Sequence, residues 1–314
     1  MLPGVLYRIA LMIPTMLIVT VLVFCMTFLL PGDPALSIAG EGATVQQVED
    51  VREQLGLDKP VLEQFASWFG GFVRGDLGTS MFSTRSVSSE ILLRVPATLS
   101  LAAMALLVAV LISMPSGIWA ALHRGRLGDR VATVGSSLGV SIPNFWLGFM
   151  LILAFALNLS WFPAGGYEPI SEGFVEWLRH LLLPAVTLGA AAAAELTRQL
   201  RSSMVGTLEQ DFVRTATAKG LSRWDVVGKH ALKNAANPYL TMVGTRIASL
   251  LGGTIVVESV FNYPGLGSLT VNSVLTRDIP MIQGLTLVAA AAVMVSNLVV
   301  DLLYRYFDPR VRAG

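Results

Sequence analysis

The stretch Val95-Pro-Ala-Thr-Leu-Ser-Leu-Ala-Ala-Met-Ala-Leu-Leu-Val-Ala-Val-Leu-Ile-Ser-Met-Pro-Ser-Gly-Ile-Trp-Ala-Ala-Leu122 carries no charged side chain. A helix crossing the hydrocarbon of a bilayer needs about 20 predominantly apolar residues, and this run is longer than that. Five further runs are predominantly apolar and of spanning length. Ile9 to Pro31 is uncharged, and Val131 to Tyr167 is uncharged and long enough for one span plus an apolar outer loop holding Asn158, Trp161, Pro163, Gly165 and Gly166. Leu181 to about Met204 carries Glu195, Arg198 and Arg201 in its second half. Pro238 to Val257 is interrupted by Arg246, and Pro280 to Leu303 is uncharged until Asp301. The expected fold is an all-α polytopic membrane protein of six transmembrane helices, with both termini on one side.

Composition agrees. Of 314 residues, 54% are apolar and 14% charged, where an ordinary soluble domain has about 25% charged residues. Too little polar surface remains to cover such a chain in water, so a soluble enzyme, a disordered regulator and a collagen-like fibre are excluded and membrane lipid is the solvent. The net charge of +1 points to no nucleic-acid partner. Cys25, the one cysteine, lies in an apolar run and reads as a small buried residue. It permits neither an intrachain disulfide nor a cysteine metal cluster.

Lysine and arginine in short loops mark the cytoplasmic side. They gather in one set of connections: Arg124, Arg126 and Arg130; then Arg214, Lys219, Arg223, Lys229 and Lys233; then Arg305, Arg310 and Arg312, with Arg8 before the first span. Both termini are therefore expected in the cytoplasm of a multi-pass protein of the cell (inner) membrane. The chain divides into transmembrane helix 1 (1–31), an extracytoplasmic helical insertion (32–94), and a five-helix core (95–314) with a cytoplasmic loop at 206–237. The first run exceeds the core of a signal peptide and no small-residue cleavage pattern follows it; Pro31-Gly-Asp-Pro34 breaks the helix instead.

Within the insertion, Thr44 and Gln47 fit a capping box, after which Val45, Val48, Val51 and Leu55 repeat at helical spacing. Asp58 with Pro60 fits a second helix start, and Phe65, Trp68, Phe69, Phe72 and Val73 supply its apolar face. The insertion reads as a scaffold on the membrane surface. Pro115 and Pro143 fall inside spans two and three, Gly252-Gly253 inside span five, and Ala190 to Ala194 and Ala289 to Ala292 permit close helix approach. Tight packing and bending during gating both account for them.

The loop between spans four and five is Asp211-Phe-Val-Arg-Thr-Ala-Thr-Ala-Lys-Gly-Leu-Ser-Arg-Trp-Asp-Val-Val-Gly-Lys-His-Ala-Leu-Lys-Asn-Ala-Ala-Asn-Pro238. Phe212 to Lys219 suits a helix and Gly220 its C-terminal cap. Ser222 can cap a following short helix whose Trp224, Val227 and Ala231 share a face. Two short helices meeting at Gly220, exposing Leu221 and neighbouring basic groups, make a knob suited to a groove on a cytoplasmic partner. The plainer alternative is a basic loop against anionic headgroups.

This loop resembles the cytoplasmic EAA loop of ABC importer permeases, which docks on the ATP-binding subunit. Gly220 matches its central glycine, Ala216 its second alanine and Leu232 the leucine near its end. Arg214, Thr215 and Lys233 replace the general pattern's Glu, Ala and Pro, but Arg214-Thr-Ala-x-Ala-Lys-Gly with His230-Ala-Leu-x-Asn is the form of the peptide/nickel branch. Pro31-Gly-Asp-Pro, Leu55-Gly-Leu-Asp-Lys-Pro, Gly75-Asp-Leu-Gly, Ser141-Ile-Pro-Asn-Phe-Trp-Leu-Gly, Glu258-Ser-Val-Phe-Asn-Tyr-Pro-Gly-Leu-Gly and Asp308-Pro-Arg extend the likeness over nearly the whole chain. The sequence is similar to the first ("B") permease subunit of dipeptide, oligopeptide and nickel importers.

The resemblance implies the type I ABC importer (MetI-like) permease fold and half of a translocation pathway for di- or oligopeptides, with nickel or a metal chelate as the alternative solute. It implies a homologous C-type permease as heterodimer partner, two ABC ATPase subunits and an extracytoplasmic solute-binding protein. No cofactor is expected on this chain and no catalysis; ATP and magnesium belong to the partners. It makes Arg214, Thr215, Ala216, Ala218, Lys219, Gly220, Leu221, Ser222, Trp224, Val227 and His230 the ATPase-docking residues.

Other classes lack their motifs. No H-E-x-x-H, G-x-x-x-x-G-K-[ST] or G-x-S-x-G occurs, which leaves an intramembrane hydrolase without nucleophile or metal site. A single-chain ion-driven carrier leaves the two-helix loop unexplained. His123 and His180 read as interfacial. Glu195 and Arg246 each lie roughly 15 Å from the cytoplasmic ends of their spans at 1.5 Å per residue. Ionisable residues at such depth face a bundle interior or a cavity. Glu195 and Arg246 are expected either as a neutralised pair joining spans four and five or as pathway lining. Glu258, near the outer end of span five, can meet a peptide amino group or a cation, or serve a helix end. Asp301 reads as structural.

Overall fold

The computed structural model describes residues 2–29, 34–40, 42–54, 56–83 and 85–307. Leu55, Pro31 to Asp33 and the Asp308-Pro-Arg motif lie outside the described residues, as does the side chain of Asp301. In chain order the helices are α1 (Leu2–Leu29), α2 (Pro34–Ala39), α3 (Val45–Gln54), α4 (Val61–Val73), α5 (Val87–Leu122), α6 (Leu127–Ser141) and α7 (Asn144–Leu151). A wider π-type segment, Ile152–Asn158, continues α7. There follow α8 (Phe174–Leu208), α9 (Asp211–Ala218), α10 (Arg223–Asp225), a second π-type segment (Val226–Leu232), α11 (Lys233–Val260), α12 (Leu266–Thr276) and α13 (Ile279–Phe307).

Five of these stretches are long and apolar enough to cross a bilayer, and the sixth expected span is a helix pair, Leu127–Ser141 with Asn144–Asn158, bent by 103°. Pro143 therefore does not sit inside a span but at its corner. Proline crowds the residue before it out of helical geometry, and Ile142 (φ −77°, ψ 123°) and Pro143 (φ −62°, ψ 136°) are both extended. Several helices also outrun their apolar stretches: α5 starts at Val87, α8 at Phe174 and α11 at Lys233, with Pro238 inside it. Hydropathy marks the part of a helix immersed in lipid, whereas backbone hydrogen bonding propagates it further.

The chain forms two compact units, residues 1–96 with 269–294 and residues 97–268 with 295–314. In the first, the capping box forms: Thr44 N donates to Gln47 Oε1 (2.8 Å) and Gln47 N to Thr44 Oγ1 (3.3 Å). α4 starts after Pro60 without a side-chain cap; in place of Asp58, Gln64 Nε2 reaches back to the Lys59 carbonyl at 2.8 Å. Phe65 and Trp68 of α4 pack on Phe24 of α1, with ring centroids 5.2 and 5.6 Å apart. Phe69 and Phe72 extend the cluster, but Val73 in the last turn is exposed. Asp278 is buried and caps α13, accepting from Met281 N (3.4 Å), and it also takes the Ser80 hydroxyl and Met81 N. That carboxylate ties the insertion to the start of the last span.

In the second unit α8 is the central strut. Leu181, Leu188, Leu196 and Leu200 are buried there with Leu101, Val257, Phe261 and Tyr263. Lipid tails are as apolar as leucine, so association rests on close packing and hydrogen bonds rather than on escape from water. Small residues permit that closeness: a Cβ on Gly117 would strike Leu200, and one on Gly139 would strike Ala194. Ser113 Oγ and Tyr239 Oη add a buried hydrogen bond of 2.7 Å.

Candidate functional site

The 206–237 segment folds as two short helical pieces around Gly220. Gly220 has φ +79° with open space around it, so glycine is required there by conformation rather than by crowding. Leu221 N donates to Ala216 O (3.4 Å) and Gly220 N to Thr217 O (3.0 Å), the two bonds of a Schellman cap. Ser222 Oγ accepts from Asp225 N at 3.1 Å and caps α10, while Lys229 Nζ stands 2.6 Å from Asp225 Oδ1.

Three expectations for this knob need correction. Leu221 is not the exposed tip: the Schellman geometry folds it back, and it packs on Val213, Ala216 and Val226. Ala216 and Val227 are buried supports rather than contact residues. Trp224 does not share a face with Val227 and Ala231; it is 82% exposed, whereas Val227 and Ala231 are buried. The π-type segment beginning at Val226 widens the turn and rotates the following residues away from the α-helical register. The presented surface is thus Trp224 and Phe212 with Arg214, Thr215, Ala218, Lys219, Gly220 and Ser222, and His230 is half-buried.

The intramembrane charges separate into distinct environments. Glu195 on α8 and Arg246 on α11 do meet, with Oε2 2.5 Å from Nη2 and their side chains 22% and 27% exposed. The approach is not a directed hydrogen bond: that oxygen and Arg246 Nε are shut from solvent and lack hydrogen-bond partners among the described residues. Nearby, Arg201 pairs with Asp129 of α6 through both Nε and Nη2, the latter at 2.7 Å, and Gly125 N adds a third bond to Asp129 at 2.9 Å. Sequence reading missed Asp129, whose only signal was its place in the first turn of a helix.

Glu258 has no exposed surface. Its Oε1 accepts from Thr98 Oγ1 (2.8 Å) and its Oε2 from Ser268 N (2.9 Å), while Thr98 Oγ1 accepts from Leu266 N (2.8 Å). The carboxylate thus caps the start of α12, where helix N–H groups favour negative charge. A Cβ on Gly265 or Gly267 would collide with it, which explains both glycines of the Pro-Gly-Leu-Gly turn. A solute amino group or cation would find no surface of Glu258 to touch. Tyr263, in the same turn, has a phenol pushed upward by burial and a contact of 3.1 Å to Ser100 Oγ.

Long apolar helices with a two-helix knob between two of them define a polytopic membrane protein, and known proteins give it a family. The profile described as binding-protein-dependent transport system inner membrane component matches residues 113–313, and the N-terminal component of the same systems matches residues 1–102. The chain belongs to this family: it is a permease subunit of an ABC importer. The glutathione transport system permease protein GsiC of Escherichia coli (strain K12) is 46% identical over 312 residues, covering 99% of each chain. A protein of Brucella abortus (strain 2308), whose name gives peptide transport system permease as a provisional role, is 41% identical over 98% of each chain. In fold, the chain is similar to the MetNI methionine ABC transporter in inward-facing conformations (TM-score 0.57, 17% identity, 70% of this chain and 96% of that one). An amino acid ABC transporter with histidines gives a TM-score of 0.52 at 14% identity, over 70% and 94%. Nickel, the alternative solute, has no counterpart in the names of these relatives.

Proposed function

We propose that this chain is the B-type permease of a peptide importer, working beside a homologous C-type permease, with N and C termini in the cytoplasm. Two ATPase subunits, which bind ATP and magnesium, dock on the 206–237 knobs, and an extracytoplasmic binding protein delivers short peptides. The names of the relatives at 41% and 46% identity support the solute class. The observation that carries the coupling role is the exposed Trp224 on a rigid, doubly capped turn. An aromatic side chain held out on a well-ordered support is the kind of anchor that dominates protein interfaces. Motion of a docked ATPase passes through the buried Val213, Ala216 and Val226, with Leu208 of α8 and Leu221 packed against them, into α8 and α11.

Trp224→Asp tests this. The variant should reach the membrane at wild-type level, yet fail to co-purify the ATPase subunits and lose peptide uptake. Retention of both attachment and uptake would overturn the assignment of Trp224.

A further inference from the structure

The knob hangs from the cytoplasmic end of α8: α9 begins at Asp211, and Leu208 packs on the buried Val213, Ala216 and Val226. That end of α8 carries Arg201, and Glu209 closes it. From these two residues, ion pairs lead to one place, the connector between α5 and α6. Arg201 pairs with Asp129 in the first turn of α6, through Nε and through Nη2 at 2.7 Å. Asp129 also accepts from Gly125 N at 2.9 Å. Arg124, the residue before Gly125, pairs with Glu209.

One tie between two rods is a pivot, whereas two ties set apart fix their orientation. Arg201 and Glu209 are eight residues apart, about 12 Å along a helix at 1.5 Å per residue. Close packing removes the remaining slack: a Cβ on Gly117 of α5 would strike Leu200, and one on Gly128 of α6 would strike Trp119 of α5. Further along α6 the bonding differs. Among the described residues, the hydroxyls of Ser136, Ser137 and Ser141 bond to carbonyls of α6 itself, and at Pro143 the chain turns by 103° into the next arm. Gly139 lies close on Ala194, but apolar contact has no direction and resists sliding weakly. Paired charge-assisted bonds fix position and direction together.

We propose that Asp129 and Arg201, reinforced by Arg124 and Glu209, form the joint that carries movement of the knob into α6. They are positioning residues for transport, and the joint keeps its shape while α6 and the knob move together. It rests on the coupling role given above to the knob and adds a route into the bundle beside the one through Leu208. Arg124 and Glu209 are more than half exposed, so their pair is weak by itself. It acts by blocking rotation about the stronger one.

The test uses the assembled importer in proteoliposomes, with radiolabelled trialanine as the probe and ATP hydrolysis measured in the same vesicles. D129N/R201Q removes both charges and strands neither. It should retain the ATPase subunits and basal hydrolysis, while trialanine imported per ATP falls about fivefold, within the range that substitutions along a coupling network reach. R124Q/E209Q should lower the ratio about twofold. A pair that serves stability alone would lower the melting midpoint and leave the ratio unchanged, which would overturn the joint. A second measurement removes no tie: in a C25A background, R124C/E209C is bridged by a short, cleavable thiol-specific reagent. The bridged complex should import at the wild-type ratio. Loss of import on bridging, with recovery on cleavage, would show that the two sides must part and would overturn the joint. A wild-type complex that hydrolyses ATP but imports no trialanine would overturn the peptide reading instead, and stimulation of hydrolysis by the binding protein then replaces import as the readout in both measurements. The coupling role itself is tested separately by Trp224→Asp.

Discussion

Two ion pairs share α8 and are built to different standards. Asp129 and Arg201 meet through two parallel bonds, with a backbone N–H completing the carboxylate's shell. Glu195 and Arg246 touch at 2.5 Å without a directed bond, and two of their polar atoms have no hydrogen-bond partner among the described residues. Opposite charge accounts for both contacts, but only the first has the geometry of a permanent clamp. The difference teaches that charge in an apolar stretch does not by itself announce function.

Breaking the clamp should have the largest effect on stability. Asp129→Ala strands Arg201 and frees Gly125 N–H, and should cost about 2 kcal/mol. That is below the ~3–5 kcal/mol of a fully buried pair because Arg201 keeps part of its surface. The measurement is the thermal midpoint of the detergent-solubilised complex, and removing Arg201 as well should recover part of the loss. Glu258 offers a third carboxylate that sharpens the comparison, because it is engaged on both oxygens yet has no cationic partner among the described residues. Glu258→Gln should cost about 1–2 kcal/mol by turning an acceptor into a donor that faces donors, seen in the same melting assay. Glu195→Gln should have the smallest stability effect, within about 1 kcal/mol, since little good geometry is lost. A midpoint lowered as far as that of Asp129→Ala would show that both pairs are clamps and erase the distinction.

The legible and illegible parts of the molecule divide along the range of the interactions. The spans could be read because a bilayer demands long uncharged runs, and such runs are local. The capping box at Thr44, the Ser222 cap and the glycine turn at Gly220 were legible for the same reason, each being decided within a few residues. The failures began where a rotation had to be carried forward. Treating residues 224–231 as one α-helix put Trp224 on the wrong face, since nothing in the letters announced a π-type segment. Pro143 was visible, but its consequence, a corner instead of a bend, depended on the neighbouring helices against which the two arms pack. Asp278 drew no notice because its partners, Ser80 and Met81, lie far away in sequence.

Sequence alone was enough to establish a six-span helical permease with a two-piece loop, and to bring Glu195 and Arg246 under suspicion as partners. Only the tertiary structure decided that Glu258 is a sealed helix cap, that Leu221 faces inward and Trp224 outward, and that Arg201 already has its counter-ion. Hydrophobic length and capping chemistry are written in adjacent residues, whereas the satisfaction of a buried charge depends on atoms that folding brings from elsewhere in the chain.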